Sequence, residues 1–220
     1  MTDQRKTNIS LTVPLAQPVT NQNLPITEVN LRWNGPYSWP RVNGTGSVLG
    51  FDKAPERNDG GVYLIAAPIN GGGYVALWTG HAKMFRARIS QHKASYLRGD
   101  YTILDIRRLQ AGERQEIWHG WAEARRPERK LEFARRKEEL TAAALQQLRG
   151  MHIFVAKVDD RRLRERTEAA TMYALYSAAK FSDIPDKGMR LAPRLPYEAP
   201  VLVKNSCGQM IHSMPLELEV

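Results

Sequence analysis

Hydrophobic positions along the chain change period several times, and each change marks an element. Residues 61–69 and 73–79 are rich in Val, Ile, Leu, Tyr and Trp, and Asn70-Gly71-Gly72-Gly73 separates them. Glycines supply the positive φ of a tight turn, so this pattern predicts a β-hairpin. From Ala82 to Leu97 the period lengthens. Phe85, Ile89 and His92 or Lys93 recur at three and four, with Met84 beside them, which predicts a helix ended by Gly99-Asp100. Residues 101–109 and 114–121 read as two strands around Gln110-Ala111-Gly112-Glu113, a second hairpin. Residues 127–150 predict one long helix. Pro127 and Glu128 open it, Leu131, Ala134, Leu140, Ala144, Leu145 and Leu148 stripe one side, and Gly150 stops it. A short strand over 151–158 and a last helix over 159–180, capped by Asp159 or Asp160, complete the central order.

The flanks are less regular. Residues 9–19 alternate like a short strand, but their prolines would confine it to an edge. Residues 31–51 interleave aromatics with Asn, Gly and Pro, which reads as turn chemistry. Trp33, Tyr37 and Trp39 suit a small core better than a base-stacking surface, because clustered aromatics usually serve burial. From Phe181 onward the chain is rich in proline and reads as irregular. The expected division is an N-terminal extension over 1–58, a core over 59–182 with an insertion at 99–126, and a proline-rich extension over 183–220.

Composition narrows the class of partner. A chain of 220 residues allows one embellished domain or two small ones, and 42% hydrophobic with 25% charged residues is globular. A net charge of +9 and a pI near 9.8 favour polyanions, either nucleic acid or anionic lipid. Cys207 is the single cysteine, so no intramolecular disulfide and no Cys/His zinc spacing exist. No apolar run approaches the roughly 20 residues of a membrane span. The first twenty residues also lack the apolar core of a signal peptide. A cytoplasmic protein without membrane contact is therefore expected. The glycine run joins two strands instead of opening a helix, which argues against a phosphate-cradling nucleotide loop.

Candidate chemistry gathers around the first hairpin. Alternation sends Gly61, Tyr63 and Ile65 to one face and Val62 and Leu64 to the other. Arg88 and His92 are four residues apart and share a helix face. A tyrosine, an arginine and a histidine can therefore converge. Arginine offers an always-charged fork for phosphate. Tyrosine needs neighbouring cations before it can act as a base, and histidine can hold or pass its proton.

In this order the residues resemble the GIY-YIG nuclease domain. "GVY" at 61–63 looks like the first family signature, and "WTG" at 78–80 stands in the place of the second. Arg88 follows Gly80 by eight residues and His92 follows by four more, as the family spaces its arginine and histidine. The strand at 151–158 and the helix at 164–175 are similar to the family's third strand and glutamate-bearing helix. Each residue singly has a plain explanation as a sheet or surface residue; their joint spacing does not.

The resemblance implies an α+β fold, a small three-stranded antiparallel sheet flanked by helices in β-β-α-α-β-α order. Here it would carry an inserted β-hairpin and an irregular N-terminal extension. It implies a DNA endonuclease that hydrolyses phosphodiester bonds in double-stranded or branched DNA with one divalent ion, Mg²⁺ or Mn²⁺. Arg88 would hold the scissile phosphate, and Tyr63 with His92 would help deprotonate the attacking water. His81 would stand near phosphate, and a helix glutamate would hold the metal. Glu168 is the choice over Glu165. It shares a face with Met172, Leu175 and Ala179, and an acid on an apolar face is costly unless paired or metal-bound.

Two departures stand against the family pattern. Trp78 replaces the second signature tyrosine. It would pack against the site, and Tyr74, four residues earlier and on the same face by alternation, could supply the hydroxyl. The family's asparagine after the glutamate helix is also missing: residues 169–204 contain none, and Asn205 is late. These leave open a catalytically inactive nucleic-acid-binding module on the same fold, or a basic protein-interaction subunit. The run "RRPERKLEFARRK" at 125–137 suits either a phosphate-gripping surface or a helix laced with Glu/Arg pairs.

Overall fold

The Asn70–Gly73 turn builds the hairpin that its glycines encode. Strands β2 (Gly61–Pro68) and β3 (Tyr74–Ala82) run antiparallel, and Gly71, Gly72 and Gly73 all take positive φ. The computed structural model describes residues 26–42, 48–187 and 189–220. The strand expected at 9–19 lies outside them.

The sheet is larger than the three antiparallel strands expected. It has seven strands in mixed pairing, so the small-sheet fold class does not hold. β6 (His152–Lys157) lies antiparallel to β2. Its outer edge is taken by β1 (Thr27–Ser38), formed from the stretch that read as turns. Asn34, Gly35 and Pro36 do not end this strand; they fall where its register against β6 shifts between Asn34 and Tyr37. A bulge tolerates turn residues inside a strand. β7 (Val201–Cys207) continues the sheet parallel to β1, β9 (Glu217–Glu219) follows antiparallel, and β8 (Ile211–His212) pairs with the start of β3. The proline-rich tail is therefore partly strand, because its prolines end before Val201 or fall between strands.

Helices cover what the strands leave open. α1 (Phe85–Leu97) buries Phe85, Ile89, His92 and Tyr96. α5 (Arg161–Tyr176), capped by Asp160 through the Leu163 amide, lies along β3 where β8 no longer pairs with it. There the Thr79 amide donates to Met172 Sδ at 3.1 Å, and the Asp186 amide donates to the Leu77 carbonyl at 2.8 Å. An unpaired edge is thus closed by a helix and a loop.

Two local expectations are corrected. The insertion contains a two-stranded ladder, β4 (Ile103–Leu104) with β5 (Glu116–Trp118), but the short helix α2 (Ile106–Gln110) sits between them in place of a tight turn. Asp105 starts it by accepting from the Arg107 and Arg108 amides. The long helix is two: α3 (Pro127–Arg135) and α4 (Lys137–Gly150), broken at Arg136, whose φ of −102° and ψ of 17° leave the helical region. Trp33, Tyr37 and Trp39 are core residues, as expected. Among the described residues no helix is long and apolar enough to cross a membrane.

Candidate active site

Tyr63 stands at the centre of an aromatic box. Its ring meets Trp78 and Phe85 edge-on, with centroids 5.7 and 6.3 Å away, and the residue is 1% exposed. It faces Gly80 across the hairpin, and a Cβ at position 80 would lie 2.2 Å from the Tyr63 hydroxyl. The glycine of "WTG" is therefore the floor on which the tyrosine lies. Gly61 is confined in the same way, since a Cβ there would meet the Ala156 carbonyl at 2.1 Å. Both glycines are places where only a hydrogen fits.

Two α1 side chains reach the Tyr63 hydroxyl. His92 Nε2 is 2.7 Å from it, and Arg88 Nε donates to it at 3.3 Å. The far side of the imidazole is also bound: His92 Nδ1 is 2.8 Å from the hydroxyl of Tyr101, which comes from the insertion. Arg88 can only donate. If Tyr63 gives its proton to Nε2 and Nδ1–H gives its own to Tyr101, every one of these atoms has a partner. The reverse order leaves the buried Tyr63 proton with no acceptor among the described residues.

Burial sets the charge states. It pushes the Tyr63 pKa well above the ordinary phenol value, and the Arg88 guanidinium opposes the shift without cancelling it. It also lowers His92 to about 3, helped by repulsion from Arg88. At neutral pH the Tyr63 phenol and the His92 imidazole are both uncharged, and Arg88 carries the only charge of the three.

The acid comes from α5. Glu168 Oε2 and His81 Nδ1 are 2.7 Å apart. Together with Lys83, Arg88 and Gln91 they border an open depression of about 390 Å³. Glu165 points elsewhere and is paired with Arg161 and Arg162 at 2.9 and 3.3 Å. Arg88 is exposed, and its two terminal nitrogens bond no other described residue. Tyr63 lies beneath it and does not line the depression.

The structure thus brings Tyr63, Arg88, His92, Trp78, His81 and Glu168 together. Tyr74 is elsewhere. Across the register shift β2 sets Ile65 opposite Trp78 and Ala66 opposite Ala76, so Leu77 is the extra residue of a bulge. The bulge inverts the alternation, and the Tyr74 ring packs against Phe154 and His152, with centroids 5.0 and 5.6 Å away. Asn205 is also remote, its amide tied between Trp33 Nε1 and the Pro215 carbonyl. The residue that sequence reasoning missed is Tyr101. It directly follows Asp100, inside a segment read as an insertion. Its ring stacks on Trp121 at 4.6 Å and 26°.

Among the described residues no three or more His, Cys, Asp or Glu side chains form a metal-binding group. Compared with protein-family models, curated proteins and solved structures, the chain matches none.

Proposed function

We propose that this chain is a divalent-metal-dependent DNA endonuclease of the GIY-YIG type. The observation that carries the reading is the Arg88–Tyr63–His92 hydrogen-bonded chain beside the carboxylate of Glu168. The donor set fits one hard cation. Glu168 brings a carboxylate to the depression with one oxygen fixed by His81, and waters and phosphate oxygens can complete such a shell. When bound, the ion supplies polarisation of a non-bridging phosphate oxygen and stabilisation of the departing oxygen.

The rest of the chemistry belongs to this chain's own residues. Arg88 turns its free terminal nitrogens onto the scissile phosphate, where a forked cation matches the charge that builds there. This movement uncovers the Tyr63 hydroxyl. A water oxygen attacks phosphorus, the bond to the leaving oxygen breaks and that oxygen takes a proton from solvent, and the attacking water's proton passes to Tyr63 Oη. Tyr63 gives its own proton to His92 Nε2, and His92 Nδ1 gives its proton to Tyr101 and on toward solvent. The relay avoids a free phenolate, which the burial of Tyr63 disfavours. Trp78 offers no hydroxyl at the site; its indole N–H donates to Tyr96 at 3.3 Å and its ring walls the imidazole.

A second reading is a nucleic-acid-binding module without catalysis, favoured by the near-complete burial of Tyr63 and by Trp78 in the tyrosine's place. Plasmid nicking with magnesium separates the two. The nuclease reading expects cleavage that Glu168→Ala abolishes and Glu165→Ala retains, with DNA binding kept in both. Arg88→Ala should slow cleavage by about a hundredfold or more. Wild-type protein that binds DNA but never nicks it would leave the binding module.

A further inference from the structure

α1 separates two concavities. Its inward side is held by Phe85, Ile89, His92 and Tyr96. One flank carries Arg88 and Gln91 into the depression described above. The other carries Arg86, Ser90 and Lys93 into a larger groove of about 560 Å³, whose far wall is Arg41 and Arg57. Four cations line that groove against one carboxylate, Asp52.

The groove is built, not a chance meeting of surface side chains. Lys93 Nζ donates to the Pro40 and Arg41 carbonyls at 2.9 and 3.1 Å, which ties the turn bearing Arg41 to the helix bearing Arg86. Arg57 is braced by a hydrogen bond to the Ala54 carbonyl at 3.1 Å. The exposed side chains of Arg41 and Arg86 make no bond to any described residue. The contrast with the arginine-rich helices is direct. Arg129 on α3 and Arg136 at the break before α4 are paired with Glu132 and Glu139.

We propose that this groove holds the sugar-phosphate backbone of the DNA strand next to the scissile phosphate, an inference that rests on the nuclease reading above. The strand would cross α1 from one concavity to the other. Among the described residues the outward crest of the helix on the way carries only the small side chains of Ala87 and Ala94. A helix with its side chains is about 10–12 Å across, and a duplex advances about 3.4 Å per phosphate on each strand. Arg86 therefore meets a phosphate about two or three nucleotides from the one at Arg88, and Arg41, on the far wall, meets one further along the strand. Such contacts set position and affinity without reading sequence.

The test is binding of a 20-base-pair duplex by fluorescence anisotropy in EDTA over a range of salt, beside magnesium-dependent nicking of the same DNA. Arg41→Gln/Arg86→Gln removes two charges from exposed side chains. It should weaken binding equally across sequences and reduce the salt slope by about two. Arg135→Gln/Lys137→Gln, at the junction of α3 and α4, should reduce it less. An unchanged slope in the groove variant, an equal loss in the comparator, or no duplex binding by wild type at low salt would overturn the groove. Groove-dependent binding without nicking would keep the groove and sink the nuclease reading. Nicking with an unchanged slope would do the reverse.

Discussion

Replacing His92 by Gln removes one titrating group from the core while keeping an amide able to reach Tyr63. In the folded protein His92 is lowered to about 3 from an ordinary 6.5. Below pH 6.5 the unfolded chain takes a proton there that the folded chain refuses. The unfolded state then binds more protons, so stability falls as pH falls. The contribution is fully present above pH 6.5 and lost progressively down to about pH 3. Integrated, the loss from this one residue is roughly 1 kcal/mol at pH 5.5 and roughly 3 kcal/mol at pH 4.5. The groups facing His92 are Tyr63, Tyr101 and Arg88, and none of them titrates in that window. His152, also lowered by burial, and the paired carboxylates contribute equally to both proteins and cancel in the difference. Urea unfolding at pH 7.5, 6.5, 5.5 and 4.5 measures it. Wild type should lose stability faster than His92→Gln by nearly one proton's worth per pH unit. Parallel curves would show that His92 is protonated without penalty, and the neutral relay through it would fall.

Further substitutions probe other contacts. Gly80→Ala pushes a methyl into the Tyr63 ring, and overpacking of this kind costs about 1–3 kcal/mol. It should lower the midpoint of thermal unfolding and abolish nicking, and a variant as stable and active as wild type would refute the floor role of Gly80. Tyr101→Phe leaves His92 Nδ1 without its partner and should slow nicking by roughly tenfold to a hundredfold with DNA binding kept. Wild-type rates in this variant would remove Tyr101 from the relay. Arg114 joins the insertion to the tail, donating to Asp186 at 2.7 Å and to the Ile184 carbonyl. Arg114→Ala strands a buried carboxylate that burial already raises and should cost about 3 kcal/mol in urea unfolding. Adding Asp186→Asn should recover part of that loss, and no recovery would refute the ion-pair account.

What the sequence reveals here is local. Three glycines with positive φ mark the hairpin, and the three-and-four recurrence of Phe85, Ile89 and His92 marks α1 with the correct inward face. These features need only neighbours within one element. The errors arise where distant contacts decide. Asn34-Gly35-Pro36 would terminate an isolated strand, but β7 holds β1 as far as Trp33 and β6 holds it from Asn34 to Ser38, across the bulge. The Leu77 bulge has no mark of its own, so simple alternation put Tyr74 beside Trp78. Tyr101 was hidden for a related reason: its role depends on a fold-back that brings the segment after α1 onto His92. Residues that converge from one hairpin and one helix were legible together, and the one that arrives from an insertion was not.

The parallel pairing of β1 with β7 has a consequence for how the chain comes to be folded. Trp33 donates its indole proton to Asn205, and 172 residues separate them. β1 must also wait for β6 before its other side is covered. During synthesis β1 leaves the ribosome well before β6 and β7 are made, and until then it has no partner on either side. Long-range pairing of this kind slows folding and leaves an edge exposed to other chains meanwhile. Ribosome-bound chains halted before residue 201 would carry β1 with one side open, and such intermediates are the natural clients of a holding chaperone. Cooling or slowing expression should raise the yield of folded protein for this reason alone.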